Sequence, residues 1–363
     1  METASSPRTI PRSRRLKFAL IAVLLAIVGP STVLLAVDVY LHRKYEKTAG
    51  FNVWGYRGPA VGSKKAGEYR VALLGGSSAF GYGVDWTDSI AAVLERRLAG
   101  RRSGAYNRFT VVNLGYNNEG AYSFRFTLAD FLSLNYDVAC LYEGYNDTMA
   151  DPRRPNVAVF RHDSPVFRLT GYLPIFPIVF REKAAALLYG NVNELYSFGD
   201  KTVFHSGLAN RTAAESLRMA AEVSESLSRQ LDRATAEPPR QITDFASTGC
   251  KSPWQEYCRS VLVATEFALE HGKQVLVVTQ PYELGNVGLR HREQQTEMAA
   301  MLERRFGGNR RVRYLNLGSS VDLADPALSF DHMHLTVAGN ARLAGELEQP
   351  VLEMAAQRDT ARN

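Results

Sequence analysis

Beyond residue 65 the chain alternates between two patterns of apolar and polar positions. Short runs that are apolar almost throughout recur as YRVALLG (69–75), FTVVNLG (109–115), DVACLYEG (137–144), QVLVVTQ (274–280) and RVRYLNL (311–317). Runs of this kind suit strands buried on both faces, as in a parallel sheet. Between them, DSIAAVLERRLAG (88–100), SFRFTLADFLSLN (123–135), EYCRSVLVATEFALEHG (256–272) and REQQTEMAAMLERRF (292–306) carry a helical period, and LTVAGNARLAGELEQPVLEMAAQ (335–357) closes the chain. Strand alternating with helix predicts an α/β protein, a three-layer α/β/α sandwich around a five-stranded parallel sheet.

One connection breaks the rhythm. From Asp147 to the strand at Gln274 runs a stretch of over 120 residues, far more than a crossover and its helix need. It includes SPVFRLTGYLPIFPIVFREKAAALLYG (164–190), rich in Phe, Leu and Pro, and a polar helical pattern near 212–236. Loops that leave the carboxyl ends of parallel strands line the ligand crevice. The segment at about 150–255 therefore reads as an insertion capping that crevice, or as a packing appendage. Its apolar stretch also suits contact with a membrane surface.

The first fifty residues have a different character. Arg8, Arg12, Arg14, Arg15 and Lys17 precede FALIAVLLAIVGPSTVLLAV, an uncharged run from Phe18 to Val37 that is long enough to span a bilayer as a helix. We expect a basic cytoplasmic tail at 1–17, an uncleaved transmembrane signal anchor at 18–38, one folded domain at 48–357 and a short tail at 358–363. The flanking charges favour a cytoplasmic N-terminus and an extracytoplasmic domain, periplasmic in a Gram-negative cell. A cleaved signal peptide is the competing reading, and VLLAVD is a poor cleavage site for it. Locating the charge also disposes of nucleic acid. The net charge is +6, and residues 1–47, with eight Lys/Arg and three Asp/Glu, hold all but one of those charges. A nucleic-acid binder would concentrate them on its folded domain.

Cys140 falls in an apolar run and reads as a small buried hydrophobe, while Cys250 and Cys258 are close enough in sequence to bridge in an oxidising compartment or to stand as thiols. No spacing of Cys, His and carboxylates suggests a metal, and no cofactor is expected.

The stretch LLGGSSAFGYGV (73–84), where the first strand ends, carries the candidate chemistry. As a phosphate cradle it fails: Gly76 and Gly81 have P-loop spacing, but Tyr82 stands where the lysine belongs. As a dinucleotide site it also fails, because the next strand ends in Asn113-Leu114-Gly115 with no carboxylate. The G-x-S-x-G elbow of α/β-hydrolases is missing its last glycine, replaced by Ala79. A nucleophilic serine needs a base and an orienter for it, and FDHMHLTVAGN (330–340) offers both, since Asp331 and His334 stand three apart and fall on one face of a turn.

Four blocks in this order resemble the GDSL-type SGNH hydrolase family. GGSSAFG (75–81) is similar to its G-D-S-L-T-x-G block, with Gly76 for the usual aspartate. VVNLG (111–115), GYND (144–147) and DHMHL (331–335) match the other three, and NVWGYRG (52–58) resembles the lead-in of membrane-tethered bacterial members. The resemblance implies a flavodoxin-like sheet in order 2-1-3-4-5. It implies Ser77 as nucleophile, His334 as base and Asp331 as its orienter, with an oxyanion hole from the amides of Ser77 and Gly115 and the side chain of Asn146. Ser78 then reads as a helix-start residue, Asp147 as a brace for its turn, and His332 as structural or at the substrate rim. Tyr116, Asn117 and Asn118 read as pocket lining or as loop polarity.

The expected activity is that of a serine esterase working through an acyl-enzyme, on short O-acyl groups, acetyl above all, of envelope or exported saccharides. The alternatives are an O-acyltransferase on the same site, a lipid or lysophospholipid acylhydrolase, and a non-catalytic envelope-assembly protein. The expected partners are an acylated saccharide or lipid and, through the N-terminal helix, the membrane.

Overall fold

Five short, largely apolar runs become five strands because a sheet between two helical layers can take up side chains on both faces. In the computed structural model, which describes residues 12–46, 48, 50–142, 144–149, 155–190, 207–235 and 248–360, they are β1 (Glu68–Leu74), β2 (Arg108–Asn113), β3 (Val138–Tyr142), β4 (Gln274–Val278) and β5 (Val312–Leu315). All neighbouring pairs are parallel and their order is β2-β1-β3-β4-β5, as expected from the sequence. The observed strands stop short of the predicted runs. The ladder loosens beyond them at the carboxyl edge, where the Leu114 amide still reaches the Leu73 carbonyl at 2.8 Å and the Tyr116 amide the Gly75 carbonyl at 2.9 Å.

Period-two packing is visible along β1. Val71 and Leu73 enter one core with α3 (Ile90–Leu98) and the final helix, whereas Ala72 and Leu74 enter the other. That second core is covered by α4 (Ser123–Asp130) and by the helices Gln255–Glu270 and Gly285–Phe306. The three layers anticipated from the alternation are therefore present. The long helix Val337–Thr360 follows the last block directly. Cys250 and Cys258 form a disulfide, and Cys140 is buried in β3, where burial pushes its thiol up to about 12.

The chain divides into two compact units, Met1–Lys44 with Pro174–Ser226, and Tyr45–Leu173 with Leu227–Asn363. The first contains α1 (Arg12–Lys44), which carries the uncharged run seen in the sequence. The side chains at 19, 23, 26 and 27 lie outside the described residues, and among the described residues no helix is long and apolar enough to cross a membrane. The transmembrane span at 18–38 is thus not carried over from the sequence. Near its carboxyl end, Asp38 accepts the amides of Ile175 and Phe176 at 2.8 and 2.6 Å and lies 3.3 Å from His42. These bonds cap the helix Phe176–Tyr189, satisfying amides that have no acceptor within that helix.

The second unit holds the sheet and every block of the resemblance. The front of the 150–255 insertion belongs to it. Arg161, with no exposed surface, donates to the carbonyls of Gly55 at 2.6 Å and Leu114 at 2.9 Å, beside the carboxylate of Glu119. A guanidinium so deeply buried persists only where carbonyls and a counter-charge receive it. It fastens the insertion's first segment to the loop that follows β2.

Candidate active site

Chain reversal at the end of β1 sets the first member of the site. Gly75 turns where a Cβ would lie 2.0 Å from the Tyr142 carbonyl of the neighbouring strand, so no side chain fits there. Ser77 then opens the short helix α2 (Ser77–Phe80), and its amide, at the first helical position, has no acceptor within that helix. Ser78 is the second residue of α2 and is buried, and the residue before the helix is Gly76.

Two side chains hold α2 in place. Arg57 is buried and sends its guanidinium to the carbonyls of Phe80, Gly81, Val84 and Thr48, while its carbon atom lies 4.1 Å from the centre of the Phe80 ring. Burial lowers its pKa to about 10, with Asp85 opposing, so it remains charged at neutral pH. Asn113 donates from Nδ2 to the carbonyls of Ala79 and Phe80 at 3.0 and 3.2 Å. Its Oδ1 accepts the Gly115 amide at 3.1 Å, so one side chain links the serine helix to the turn after β2.

The far end of the chain supplies the base. Ser77 Oγ lies 2.7 Å from His334 Nε2, across 257 positions of sequence, and His334 Nδ1 lies 2.6 Å from Asp331 Oδ2. Asp331 Oδ1 also accepts the amides of Met333 and His334, at 3.1 and 2.6 Å, which closes the turn and fixes the carboxylate against the ring. Burial alone would raise the Asp331 pKa. The bonds from the His334 side chain and backbone outweigh it and hold the carboxyl below its ordinary value. A carboxylate can only accept, so the neutral imidazole carries its proton on Nδ1, leaving Nε2 to accept from the serine hydroxyl. His332 points elsewhere, with a left-handed backbone and Nδ1 3.1 Å from the Leu323 carbonyl.

The turn after β3 brings in the third block as the helical turn α5 (Tyr145–Thr148). It rests on a buried polar floor. Gln294 donates to the Gly144 carbonyl at 3.1 Å, Gln280 accepts the Tyr145 amide at 3.1 Å, and the Tyr145 hydroxyl donates to the Pro281 carbonyl at 2.8 Å. His291 lies in the same floor, stacked on Tyr145, and burial lowers its pKa to about 4, so it is neutral there. Asn146 Nδ2 donates to the Glu119 carbonyl at 2.8 Å and Asp147 Oδ2 accepts the Ala121 amide at 2.9 Å, clipping α5 to the loop after β2.

The oxyanion residues expected from the sequence therefore have partners of their own in this structure. Gly115 is hydrogen-bonded to Asn113, and Asn146 gives one N–H to Glu119. Tyr116 belongs to an aromatic cluster, stacked on Phe160 at 3.5 Å and flanked by Phe51 and Phe80. The Asn118 carbonyl accepts from Asn156. Among the described residues no cluster of His, Cys, Asp and Glu could hold a metal ion.

Asp147 makes the clip sensitive to pH. Its carboxyl is pressed against Gly120, and burial pushes its pKa from 3.8 up to about 7, with the Ala121 hydrogen bond opposing. With a folded pKa above the unfolded one, its contribution to stability is full below the unfolded value and is lost as pH rises through about 7. Asp147→Asn keeps an acceptor for Ala121 and cannot ionise. Its melting temperature relative to wild type should rise between about pH 4.5 and about pH 8, a trend that thermal melts across that range would reveal. A difference independent of pH would contradict the assignment.

No protein-family model matches the sequence, and no curated protein matches it. The fold is similar to that of several solved structures. One is a Desulfitobacterium hafniense protein described as lipolytic, of the G-D-S-L family (14% identity over 78% of this chain and 98% of that one, TM-score 0.40). Another is the acetylxylan esterase Axe2 of Geobacillus stearothermophilus, solved as a catalytic mutant (11%, 80% and 95%, TM-score 0.40). A third is a family 3 carbohydrate esterase from Clostridium thermocellum (12%, 80% and 99%, TM-score 0.35). The structures it resembles are thus lipolytic proteins and carbohydrate esterases. At these scores the likeness is one of architecture, and function is read from the site itself.

Proposed function

We propose that the chain is a serine esterase of the GDSL-type SGNH hydrolase family, removing short O-acyl groups from saccharides outside the cytoplasm. The observation that carries this reading is the continuous relay from Asp331 through His334 to Ser77, with links of 2.6 and 2.7 Å. Three residues from opposite ends of the chain meet in the order that nucleophilic catalysis requires: acceptor, base, hydroxyl.

In the proposed reaction, Ser77 Oγ attacks the ester carbonyl carbon as His334 Nε2 takes its proton. The carbonyl electron pair moves onto oxygen, where the amides of Ser77 and Gly115 and the side chain of Asn146 receive the charge. Collapse breaks the bond to the alkoxy oxygen, and His334 returns the proton to the departing alcohol. Water, deprotonated by the same imidazole, then attacks the acyl-enzyme and releases the acid. For Gly115 this requires the oxyanion to replace or share the Asn113 acceptor. A developing full charge favours that exchange over a neutral amide oxygen.

The extracytoplasmic location is supported by the Cys250–Cys258 disulfide, which persists in oxidising compartments, and by the uncharged run of Phe18–Val37. A membrane-impermeant fluorophosphonate tests chemistry and location together when applied to spheroplasts of a bacterium expressing the full chain. Labelling at Ser77 in intact spheroplasts is the expected result. Labelling only after lysis would overturn the location, and no labelling in either sample would overturn the esterase reading.

A further inference from the structure

Two partly exposed aromatic rings stand next to one another beside the His334 imidazole. Tyr82 is 45% exposed and Phe330 48% exposed. The Tyr82 ring centre lies 4.8 Å from that of His334, and the Phe330 ring stacks at 5.8 Å with an interplanar angle of 15°. The two rings are 6.4 Å apart. Neither placement is loose. Phe330 donates its amide to the His334 carbonyl at 3.2 Å. Its ring also lies so close over Gly83 that a Cβ there would be 2.6 Å from Cζ, and Gly83 itself has a φ of +83°. A single exposed ring needs no explanation, but two next to one another beside one imidazole form an apolar surface facing water near reacting atoms.

Which part of a substrate meets that surface follows from the proton's route. His334 Nε2 is bonded to Ser77 Oγ, so the same nitrogen must hand the proton to the alkoxy oxygen as the alcohol departs. That oxygen has to come within about 3 Å of Nε2. The alcohol therefore extends past the imidazole, over Tyr82 and Phe330, while the carbonyl oxygen faces the amide donors. The acyl chain lies away from the rings.

The chemistry of the rim narrows the alcohol further. Ring faces offer contact to a flat set of C–H bonds and leave hydroxyl groups at its edge in water. An alcohol that presents both is a pyranose ring.

Resting on the esterase reading above, we infer that Tyr82 and Phe330 form a stacking subsite for the sugar ring of the alcohol portion. The rings then select the leaving group and have no part in choosing the acyl group.

The test compares kcat/KM on a mono-O-acetylated methyl glucopyranoside with kcat/KM on ethyl acetate, by acetate release from the full-length protein. Losing ring contact to the sugar should lower the ratio of the two at least about tenfold in Tyr82→Ala/Phe330→Ala, chiefly through KM on the sugar ester. Tyr82→Phe should keep the wild-type ratio. Tyr82→Ala alone, at an exposed position, serves if the double variant does not fold, with a smaller drop in the same direction. A ratio within twofold of wild type would overturn the inference. So would a changed preference between acetyl and butyryl esters of ethanol at an unchanged ratio, since that places the rings on the acyl side. If the wild-type protein hydrolyses neither ester, the esterase reading itself fails and the subsite falls with it.

Discussion

Ser77→Ala is expected to lower kcat for a short-chain ester by about 10⁴- to 10⁶-fold and to leave the protein folded. Alanine has no atom that can attack the carbonyl, so the acyl-enzyme route closes altogether. What activity persists comes from the remaining donors acting on water. The fold should tolerate the change because the hydroxyl is half-buried and bonds His334, a side chain that keeps its own anchor on Asp331. Losing one such hydrogen bond costs about 1 kcal/mol. Hydrolysis rates, thermal melts and the mass of the fluorophosphonate adduct check the three parts of the claim. Ser78 provides the internal control, since GGSSAFG offers two adjacent serines and only Ser77 reaches the imidazole. A Ser77→Ala protein that hydrolyses esters at the wild-type rate would remove the nucleophile assignment outright.

Much of this site was legible in the sequence because it is built from local rules. Five apolar runs became five strands, since a run apolar on both faces has few other places to go. Asp331 and His334 are three apart, and their partnership is a matter of one turn. Their meeting with Ser77 is not local at all, and only the order of the four blocks pointed to it.

The parts that were missed share one cause, which is that burial and long-range contact leave no local trace. Arg57 and Arg161 look like surface charges in the sequence, yet each is buried and organises a loop through carbonyl acceptors. Phe330 lies four residues from His334 and could have been suspected. Tyr82, more than 240 residues away, could not. The grouping of Met1–Lys44 with Pro174–Ser226 is likewise spatial, resting in part on Asp38 capping a helix that begins 138 residues later.

Asn146→Ala should cost about 100- to 1,000-fold in kcat with little change in KM, the signature of a donor used in the transition state more than in the ground state. The Glu119 carbonyl, by accepting one of the two amide N–H groups at 2.8 Å, fixes the plane of the Asn146 side chain before any substrate arrives. The floor of Gln280, Gln294 and Tyr145 fixes the backbone that carries it. A donor held in this way needs no reorganisation when charge develops, which is why its removal weighs on the barrier. Alanine also leaves the Glu119 carbonyl without that partner, a loss of about 1 kcal/mol that melting would register separately from kinetics. Kinetics measured well below the melting temperature, with Asp147 still clipping α5 to the Ala121 amide, separate the two effects. A kcat within about threefold of wild type would mean that Asn146 serves only as a brace, and that the Ser77 and Gly115 amides carry the oxyanion without it.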